Sequence, residues 1–222
     1  MLERVLEPEV MDSAAEADDY DAMDHSHVNQ VFVNNLLQLR DDLTNVLDVG
    51  TGTAQIPLAL CVRHVTVRIV AIDMAAHMLR VGQRNIDRAG MGERIRLQRC
   101  DAKKMPFADA SFDTAMSNSI VHHIPEPFAV MAEMVRVVKP GGRLFVRDLL
   151  RPADLASLRG FVRLYAGDAN AHQQQMFADS LHAALTLDEV RAMLTRLGFN
   201  AASVQQTSDR HWTWAANRKQ ED

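Results

Sequence analysis

The residues best suited to chemistry in this sequence are a glycine-rich turn and the carboxylates that follow it. Residues 46–49 are a short, mainly apolar run, and Gly50 and Gly52 come directly after it. Such a run is typical of an inner strand of a parallel sheet. Glycine lets the chain turn tightly and lets a ligand lie against main-chain N–H groups. The helix predicted next would direct its positive N-terminal end at that ligand.

A carboxylate stands at the end of the next apolar run. Residues 67–72 form that run, and Asp73 follows it, 23 residues after Gly50. A carboxylate in this position can accept hydrogen bonds from both hydroxyls of a ribose. The pyrophosphate-binding pattern G-x-G-x-x-G is not kept, because Gln55 stands where its third glycine would be. We therefore predict a ribose-containing ligand without phosphate, which disfavours a nicotinamide oxidoreductase.

The elements that position these residues alternate between helix and strand, which indicates an α/β fold with a parallel sheet and right-handed crossovers. The periodicity predicts helices over 28–39, 55–62, 75–89, 128–138, 155–165 and 171–185. Strands are predicted over 46–49, 67–72, 95–98, 112–116 and 143–149, with a sharp turn over 139–142. Residues 186–189 form a capping box that opens another helix, which Gly198 ends, and a hairpin over 202–216 closes the chain.

This series of motifs resembles the class I S-adenosylmethionine-dependent methyltransferases, a family whose small-molecule members include the quinone-biosynthesis methyltransferases. The matching segments are 46–54, 71–74, 99–102, 112–124 and 136–149. The resemblance implies a Rossmann-like, doubly wound, mostly parallel seven-stranded sheet with a C-terminal antiparallel hairpin. It also implies a helical substrate cover over 151–185. We expect one domain over 1–222, with an N-terminal arm and helix over 1–40.

The resemblance assigns S-adenosylmethionine contacts to nine positions: Tyr20, Gly50, Thr51, Gly52, Asp73, Met74, Asp101, Ala102 and Asn118. The glycine turn would hold the amino-acid portion, Asp73 the ribose, and Met74 one face of the adenine. Asp101 and Ala102 would contact the adenine edge, and Asn118 the methionyl ammonium. Tyr20 would cover the methionine end, although residues 18–27 are polar enough to be a mobile acidic arm instead. Asp73 and Asp101 have plainer alternatives as a helix cap and a loop carboxylate.

Candidates for the reaction itself follow the fourth and fifth predicted strands. His122 or His123 could accept a proton near neutral pH, and Asp148 lies near the end of the fifth strand. Stabilising the loop is the alternative role for the two histidines. Because adjacent side chains seldom point the same way, we expect no metal site there.

Three further residues are predicted to contact substrate. Arg147 could bind a substrate carboxylate bidentately. Tyr165 and His172 could face a substrate from the insertion.

Composition excludes some classes of protein. A formal net charge of −5 argues against a general nucleic-acid binder. No apolar run approaches the roughly 18 residues of a membrane span, and the start of the chain lacks the pattern of a signal peptide. The two cysteines, Cys61 and Cys100, imply no disulfide framework. We expect a cytoplasmic protein that does not bind membranes, and a homodimer is left open.

The expected function is S-adenosylmethionine-dependent methyl transfer to a small molecule. Methyl transfer is an in-line displacement, so aligning the two reactants can supply on the order of 7–11 kcal/mol of the barrier. A general base is needed only where the acceptor arrives protonated. The alternative is a non-catalytic cofactor-binding or partner protein that has kept the fold. The acceptor atom is not determined by the sequence.

Overall fold

A computed structural model describes residues 2–7, 12–39 and 42–220, which divide into two compact units. The first unit comprises residues 10–118, 129–145 and 216–222. The second unit comprises residues 1–9, 119–128 and 146–215. The predicted N-terminal arm and helix over 1–40 lie partly outside the described residues, at positions 1, 8–11 and 40.

Seven strands form one sheet in the order β3-β2-β1-β4-β5-β7-β6. Their bounds are β1 Asn45–Val49, β2 Arg68–Asp73, β3 Ile95–Arg99, β4 Phe112–Asn118, β5 Val138–Leu149, β6 Val204–Gln206 and β7 His211–Asn217. Strands β1 to β4 pair in parallel, whereas β6 and β7 pair antiparallel. The mostly parallel sheet and the closing hairpin confirm the predicted fold class.

Eight helices are found among the described residues, and all but the first were predicted from the periodicity and the capping box. They are α1 Ala14–Ala22, α2 Ser26–Leu39, α3 Gln55–Arg63, α4 Ala76–Ala89, α5 Pro127–Val137, α6 Leu155–Ala166, α7 Ala171–Ala183 and α8 Leu187–Arg196. The predicted capping box is present at the start of α8, where Thr186 and Glu189 bond each other's main-chain N–H groups. Gly90 ends α4 with φ +66°, which a glycine adopts without strain. Among the described residues, none of these helices is long and apolar enough to cross a membrane.

Helix α1 is a departure from the sequence analysis, which predicted no helix there and left residues 18–27 as a possible mobile acidic arm. Ser13 and Glu16 form a capping box that begins the helix. Ala17 is fully buried in a cluster with Ala75, Met78 and Val81 of the first unit. The small side chain of Ala17 lets the helix backbone lie close to α4, and the partly buried Tyr20 ring packs against the same cluster.

Two smaller expectations were wrong. The apolar period that predicted the helix over 28–39 includes Val28, Val31 and Leu39, yet these three are exposed, because the buried face passes through Phe32, Val33 and Leu36. Residues 139–142, predicted as a turn, belong to β5. Gly141 donates from its N–H to the Arg218 carbonyl, and Arg218 donates back to Gly142, both at 2.8 Å, so pairing with the C-terminal segment extends the strand.

The second unit contains the predicted insertion, which is helical as expected. Leu158 of α6 and Leu181 of α7 pack with Leu149 and Ala184 in one apolar cluster. The N-terminal segment 2–7 belongs to this unit. Leu2 donates from its N–H to the Ala153 carbonyl at 2.9 Å, and Val5 donates to the His182 carbonyl at 3.2 Å.

Candidate functional site

Four neighbouring strand ends of the first unit align along one edge of the sheet. The parallel register pairs Val49 of β1 with Ile72 of β2 and with Ser117 of β4, and pairs Asp73 of β2 with Arg99 of β3. The residues that follow or end these strands therefore lie in a row: Gly50, Asp73, Asp101 and Asn118. Ligands of open α/β sheets bind at this carboxyl edge.

The glycine turn is shaped by positive φ angles. Gly50 has φ +76° and Gly52 +54°, and Ala54 is also left-handed at +63°. The N–H groups of Gly50 and Thr51 both donate to the Ile72 carbonyl at 2.9 Å, and that of Gly52 donates to Asp73. These three N–H groups therefore shape the turn, in contrast to the expectation that they face a ligand. These N–H groups were assigned to a ligand in the sequence analysis because the sequence alone does not show that the Ile72 carbonyl and the Asp73 carboxylate lie within hydrogen-bonding distance of the turn.

The Asp73 carboxylate joins the turn to the start of α4. Oδ2 accepts from the Gly52 N–H at 2.8 Å, and Oδ1 accepts from the Ala75 N–H at 2.9 Å. Burial raises the pKa of Asp73, although these hydrogen bonds oppose the rise. Asp73 bonds the N–H of Ala75, which is itself the N-cap residue of α4, so Asp73 is not the helix cap that its plainer alternative supposed. Each oxygen retains a second lone-pair direction for a ligand hydroxyl.

Tyr20 lies over the glycine turn. A Cβ placed on Gly52 would come 3.8 Å from Tyr20 Cε1, which is ordinary van der Waals contact. Burial, with the charges of Asp73 and Asp48 next in effect, raises the pKa of Tyr20 to about 12. The phenol is therefore neutral at physiological pH and lies beside two of the carboxylates at this edge. The structure brings Tyr20 together with the turn as the sequence analysis expected.

An amide network that sequence reasoning missed fixes α1 over the turn. Asp21 Oδ1 accepts from Gln55 Nε2 at 3.1 Å and from Asn85 Nδ2 at 2.8 Å. Asn29 Nδ2 donates to Gln55 Oε1 at 3.1 Å. Gln55, which stands where the pyrophosphate motif has glycine, is therefore a structural tie. The sequence signal for this role was that Gln55 replaces the third glycine of the pyrophosphate-binding motif.

The residues assigned to the adenine end lie beside Asp73. Cys100 donates from its N–H to the Asp73 carbonyl, and Arg99 Nε donates to the Met74 carbonyl, both at 2.9 Å. Met74 exposes 41% of its surface, which leaves an apolar side chain free to cover a planar ring. Asp101 forms an ion pair with Lys103 at 3.2 Å. Ala102 and Asn118 are half-buried at the same edge.

Asp48 is a buried acid within β1. It is 2% exposed, and burial raises its pKa to about 7, with the nearby Thr51 hydroxyl opposing the rise and the charge of Asp73 adding to it. Asp48 and Asp73 therefore repel each other when both are ionised.

In the second unit, His122 and Asp148 form a buried pair. His122 Nδ1 lies 2.5 Å from Asp148 Oδ1, and the Asp148 carboxylate also accepts from the N–H groups of Val121 and Leu149 at 2.6 Å. Burial acts to lower the pKa of His122, but Asp148 and Glu7 outweigh it and raise that pKa. Burial acts to raise the pKa of Asp148, yet His122 and the two N–H groups hold it low.

Glu7 contacts both histidines. Its Oε1 lies 3.6 Å from His122 Nε2 and 3.1 Å from His123 Nδ1. The imidazole rings stack at 4.1 Å between centroids. Burial, followed by the charge of His122, lowers the pKa of His123 to about 3. The premise that these adjacent side chains diverge is wrong, because the 3₁₀ helix Val121–His123 directs both toward one carboxylate. Nothing in the sequence indicated Glu7, which is more than a hundred residues away.

The predicted substrate residues of the second unit have different surroundings. Arg147 Nε donates to Thr213 Oγ1 at 3.0 Å, and burial lowers the pKa of Arg147. The Tyr165 hydroxyl donates to Asp209, and the Arg210 guanidinium lies 3.4 Å from the Tyr165 ring centroid. His172 is exposed in the first turn of α7.

Comparison with known proteins finds a family match for the central part of the chain. Residues 47–146 match the family model of the methyltransferase domain. The 27-O-demethylrifamycin SV methyltransferase of Amycolatopsis mediterranei is 27% identical over 176 residues, which are 78% of this chain and 61% of that protein. The demethylmenaquinone methyltransferase of Desulfitobacterium hafniense is 32% identical over 143 residues, covering 58% of this chain and 55% of that protein.

A solved structure shares the fold. A protein of Bacillus halodurans described as a methyltransferase superposes with a TM-score of 0.58 at 26% identity, covering 78% of this chain and 70% of that one. The chain spans about 60% or less of the length of the two curated relatives above. The segment that the family model matches, residues 47–146, contains the glycine turn, Asp73, Asp101 and the two histidines.

Proposed function

We propose that this chain belongs to the class I S-adenosylmethionine-dependent methyltransferases and transfers a methyl group from S-adenosylmethionine to a small molecule, since residues 47–146 match the family model of the methyltransferase domain. The observation that supports the proposal most directly is the row formed by Gly50, Asp73, Asp101 and Asn118 at four aligned strand ends. A nucleoside lying along that row meets the glycine turn, then the Asp73 carboxylate and then the Asp101 carboxylate. The relatives named above act on a rifamycin precursor and a menaquinone precursor, which favours a small-molecule acceptor.

The residues present fit S-adenosylmethionine. A Cβ added at Gly52 would make ordinary van der Waals contact with Tyr20 Cε1 at 3.8 Å, so a ligand at the turn would lie beside the Tyr20 ring. Asp73 has lone pairs left for the ribose hydroxyls, and Met74 offers an exposed apolar face for adenine. When bound, the cofactor supplies a methyl group already activated on a sulfonium sulfur.

The chain's own contribution in this proposal is binding and alignment. Asp73 holds the ribose in an orientation fixed beforehand by its bonds to Gly52 and Ala75. Tyr20 closes over the turn and excludes water from it, while Asn118 meets the methionyl ammonium. Holding reactants in line is the main catalytic effect, because the methyl group needs no further activation by the protein.

His122, His123 and Asp148 are proposed to act on the acceptor side. Both ring nitrogens of His122 face carboxylates, so its imidazole is held in one orientation. This arrangement favours a role for His122 in orienting the loop after β4, and not in accepting a proton as a free imidazole would. Arg147, Tyr165 and His172 remain predicted substrate contacts.

The experiment that tests the proposal has two parts. A thermal-shift comparison of S-adenosylhomocysteine with NAD examines the ligand, and stabilisation by the first compound alone is expected. Turnover is then measured as S-adenosylhomocysteine release over a panel of phenols, thiols, imidazoles and carboxylic acids. Stabilisation by NAD alone would refute the proposal. Binding of S-adenosylhomocysteine without turnover on any panel member would favour the non-catalytic alternative.

The remaining expectations go with this proposal. We propose that the protein acts in the cytoplasm on a freely diffusing substrate and does not bind nucleic acid. Its acidic balance of 29 carboxylate against 24 basic residues supports the second point. Size-exclusion chromatography with light scattering distinguishes a monomer from the homodimer that the sequence left open.

A further inference from the structure

Three atoms of the second unit that can each bind a metal ion lie close together. Glu7, His122 and His123 offer one such atom each, and these atoms all lie within 4.8 Å of one another. Within the part of the chain that the structure describes, no other group of three or more His, Cys, Asp or Glu side chains has this geometry. The three side chains come from two separate segments, 2–7 and the 3₁₀ helix Val121–His123.

The separations suit a first-row divalent ion. Zinc binds imidazole nitrogen at about 2.0–2.1 Å and carboxylate oxygen at about 2.0–2.2 Å, so neighbouring ligand atoms of a tetrahedral site are about 3.3–3.5 Å apart. Glu7 Oε1 is 3.1 Å from His123 Nδ1 and 3.6 Å from His122 Nε2. Shifts of a few tenths of an ångström around Glu7 would bring both separations to the tetrahedral values.

The orientation of His122 is the one a metal ligand requires. Its Nδ1 bonds Asp148 Oδ1, which places the proton on Nδ1 and leaves the lone pair of Nε2 directed at Glu7. The Asp148 carboxylate is in turn fixed by the N–H groups of Val121 and Leu149. A carboxylate behind a ligating histidine is a regular feature of metal sites, because it sets the tautomer and the ring direction.

The other two ligand atoms are buried and lack hydrogen bonds. Glu7 Oε1 and His123 Nδ1 both lack a partner, because the 3.1 Å separation between them falls outside hydrogen-bond geometry. Burying such groups unpaired costs free energy that a cation between them would recover. The neighbouring cation, Arg4, donates instead to the carbonyls of His122, Ile124 and Ala183.

We propose that Glu7, His122 and His123 bind one divalent transition-metal ion, with Asp148 as the outer partner of His122. Two imidazoles and one carboxylate suit Zn²⁺ and its neighbours in the first row and do not suit Mg²⁺ or Ca²⁺. The fourth position is open to water. The ion joins the N-terminal segment to the 3₁₀ helix, and this holds whether or not the chain transfers methyl groups.

The test uses the full chain without a histidine tag, stripped with a chelator and dialysed. Calorimetric titration with ZnCl₂ measures stoichiometry and affinity, and titration with CoCl₂ gives visible absorption bands characteristic of coordination by protein ligands. One equivalent of each metal is expected per chain. Glu7→Gln and His123→Ala should each lower the affinity for Zn²⁺ by at least about 10–100-fold, and Asp148→Asn by a similar factor through His122.

Matched controls are available on exposed residues. Glu3→Gln and His27→Ala change the same residue types outside the cluster, and both should bind Zn²⁺ as tightly as the unchanged chain. Far-ultraviolet circular dichroism verifies that each variant is folded, and Glu7→Gln preserves side-chain volume. The proposal is overturned if the folded, unchanged chain takes up no Zn²⁺ and gives no cobalt bands. It is overturned equally if Glu7→Gln and His123→Ala, both folded, bind Zn²⁺ as tightly as the two controls.

Discussion

The carboxylate of Asp73 accepts a hydrogen bond from the main-chain N–H of Gly52 at 2.8 Å. The acid assigned to the ribose and the turn assigned to the methionine end are therefore one connected piece of structure. Its second oxygen is held by the Ala75 N–H at 2.9 Å, so the carboxylate is oriented without a ligand. Such preorganisation lowers the entropy lost when a ligand binds.

Replacing Asp73 with Asn should weaken the binding of S-adenosylhomocysteine by more than about 1 kcal/mol, or roughly fivefold. The amide keeps the volume but loses the charge and one acceptor, so one N–H of Gly52 or Ala75 must face an NH₂ group. Isothermal titration calorimetry measures the affinity. Asp87→Asn, an exposed change on α4, is the control. An unaltered affinity for Asp73→Asn would show that the ribose lies elsewhere.

Removing the Tyr20 ring should reduce both stability and cofactor binding. The ring packs on the cluster of Ala17, Ala75, Met78 and Val81 and over Gly52. Because Tyr20 is only partly buried, Tyr20→Ala should lower the free energy of unfolding by about 1–3 kcal/mol, less than the 3–5 kcal/mol of a fully buried ring. The affinity for S-adenosylhomocysteine should fall about tenfold.

Tyr20→Phe separates the ring from the hydroxyl. The ring contacts are kept, so urea denaturation and calorimetry should return values close to those of the unchanged chain. If Tyr20→Ala binds S-adenosylhomocysteine normally while losing stability, α1 is a structural cap and takes no part in the ligand site.

Asp48 should make stability depend on pH between about 4 and 7. Its pKa is 3.8 in the unfolded chain and about 7 in the folded one, so the folded state holds the proton over this interval. Stability from this group is therefore fully present below pH 3.8 and is lost as pH rises toward 7. Asp48→Asn removes the titration.

The stability gained by Asp48→Asn relative to the unchanged chain should therefore grow with pH, by roughly 2–4 kcal/mol between pH 4 and 7.5. Urea denaturation of both proteins at a series of pH values measures this difference. A difference independent of pH would mean that Asp48 ionises normally in the folded chain.

His123→Gln should lower kcat more than it lowers cofactor affinity. The residues proposed to bind the cofactor all belong to the first unit, whereas His123 belongs to the second. Once an acceptor is found, kcat and the dissociation constant of S-adenosylhomocysteine are measured for this variant and for the exposed control His27→Gln. Equal losses in both quantities would assign His123 a purely structural role.

The fold was accessible to sequence reasoning because its signals are local. The apolar run before Gly50, the glycine after α4 and the Thr186–Glu189 capping box each determine an element from a few neighbouring residues. Helix α1 was missed because its docking depends on one small residue, Ala17, and on the amide contacts of Asp21, which join segments far apart in the chain.

The sequence by itself determined the alternation of helices and strands, the order of the motifs and the acids at the strand ends. These follow from periodicity and turn chemistry, which act over a few residues. Only the tertiary structure decided what the buried polar groups bond to. It turned the N–H groups of the glycine turn inward to Ile72 and Asp73, and it brought Glu7 to His122 and His123. Such pairings depend on which distant segments meet, and that is fixed by packing of the whole chain.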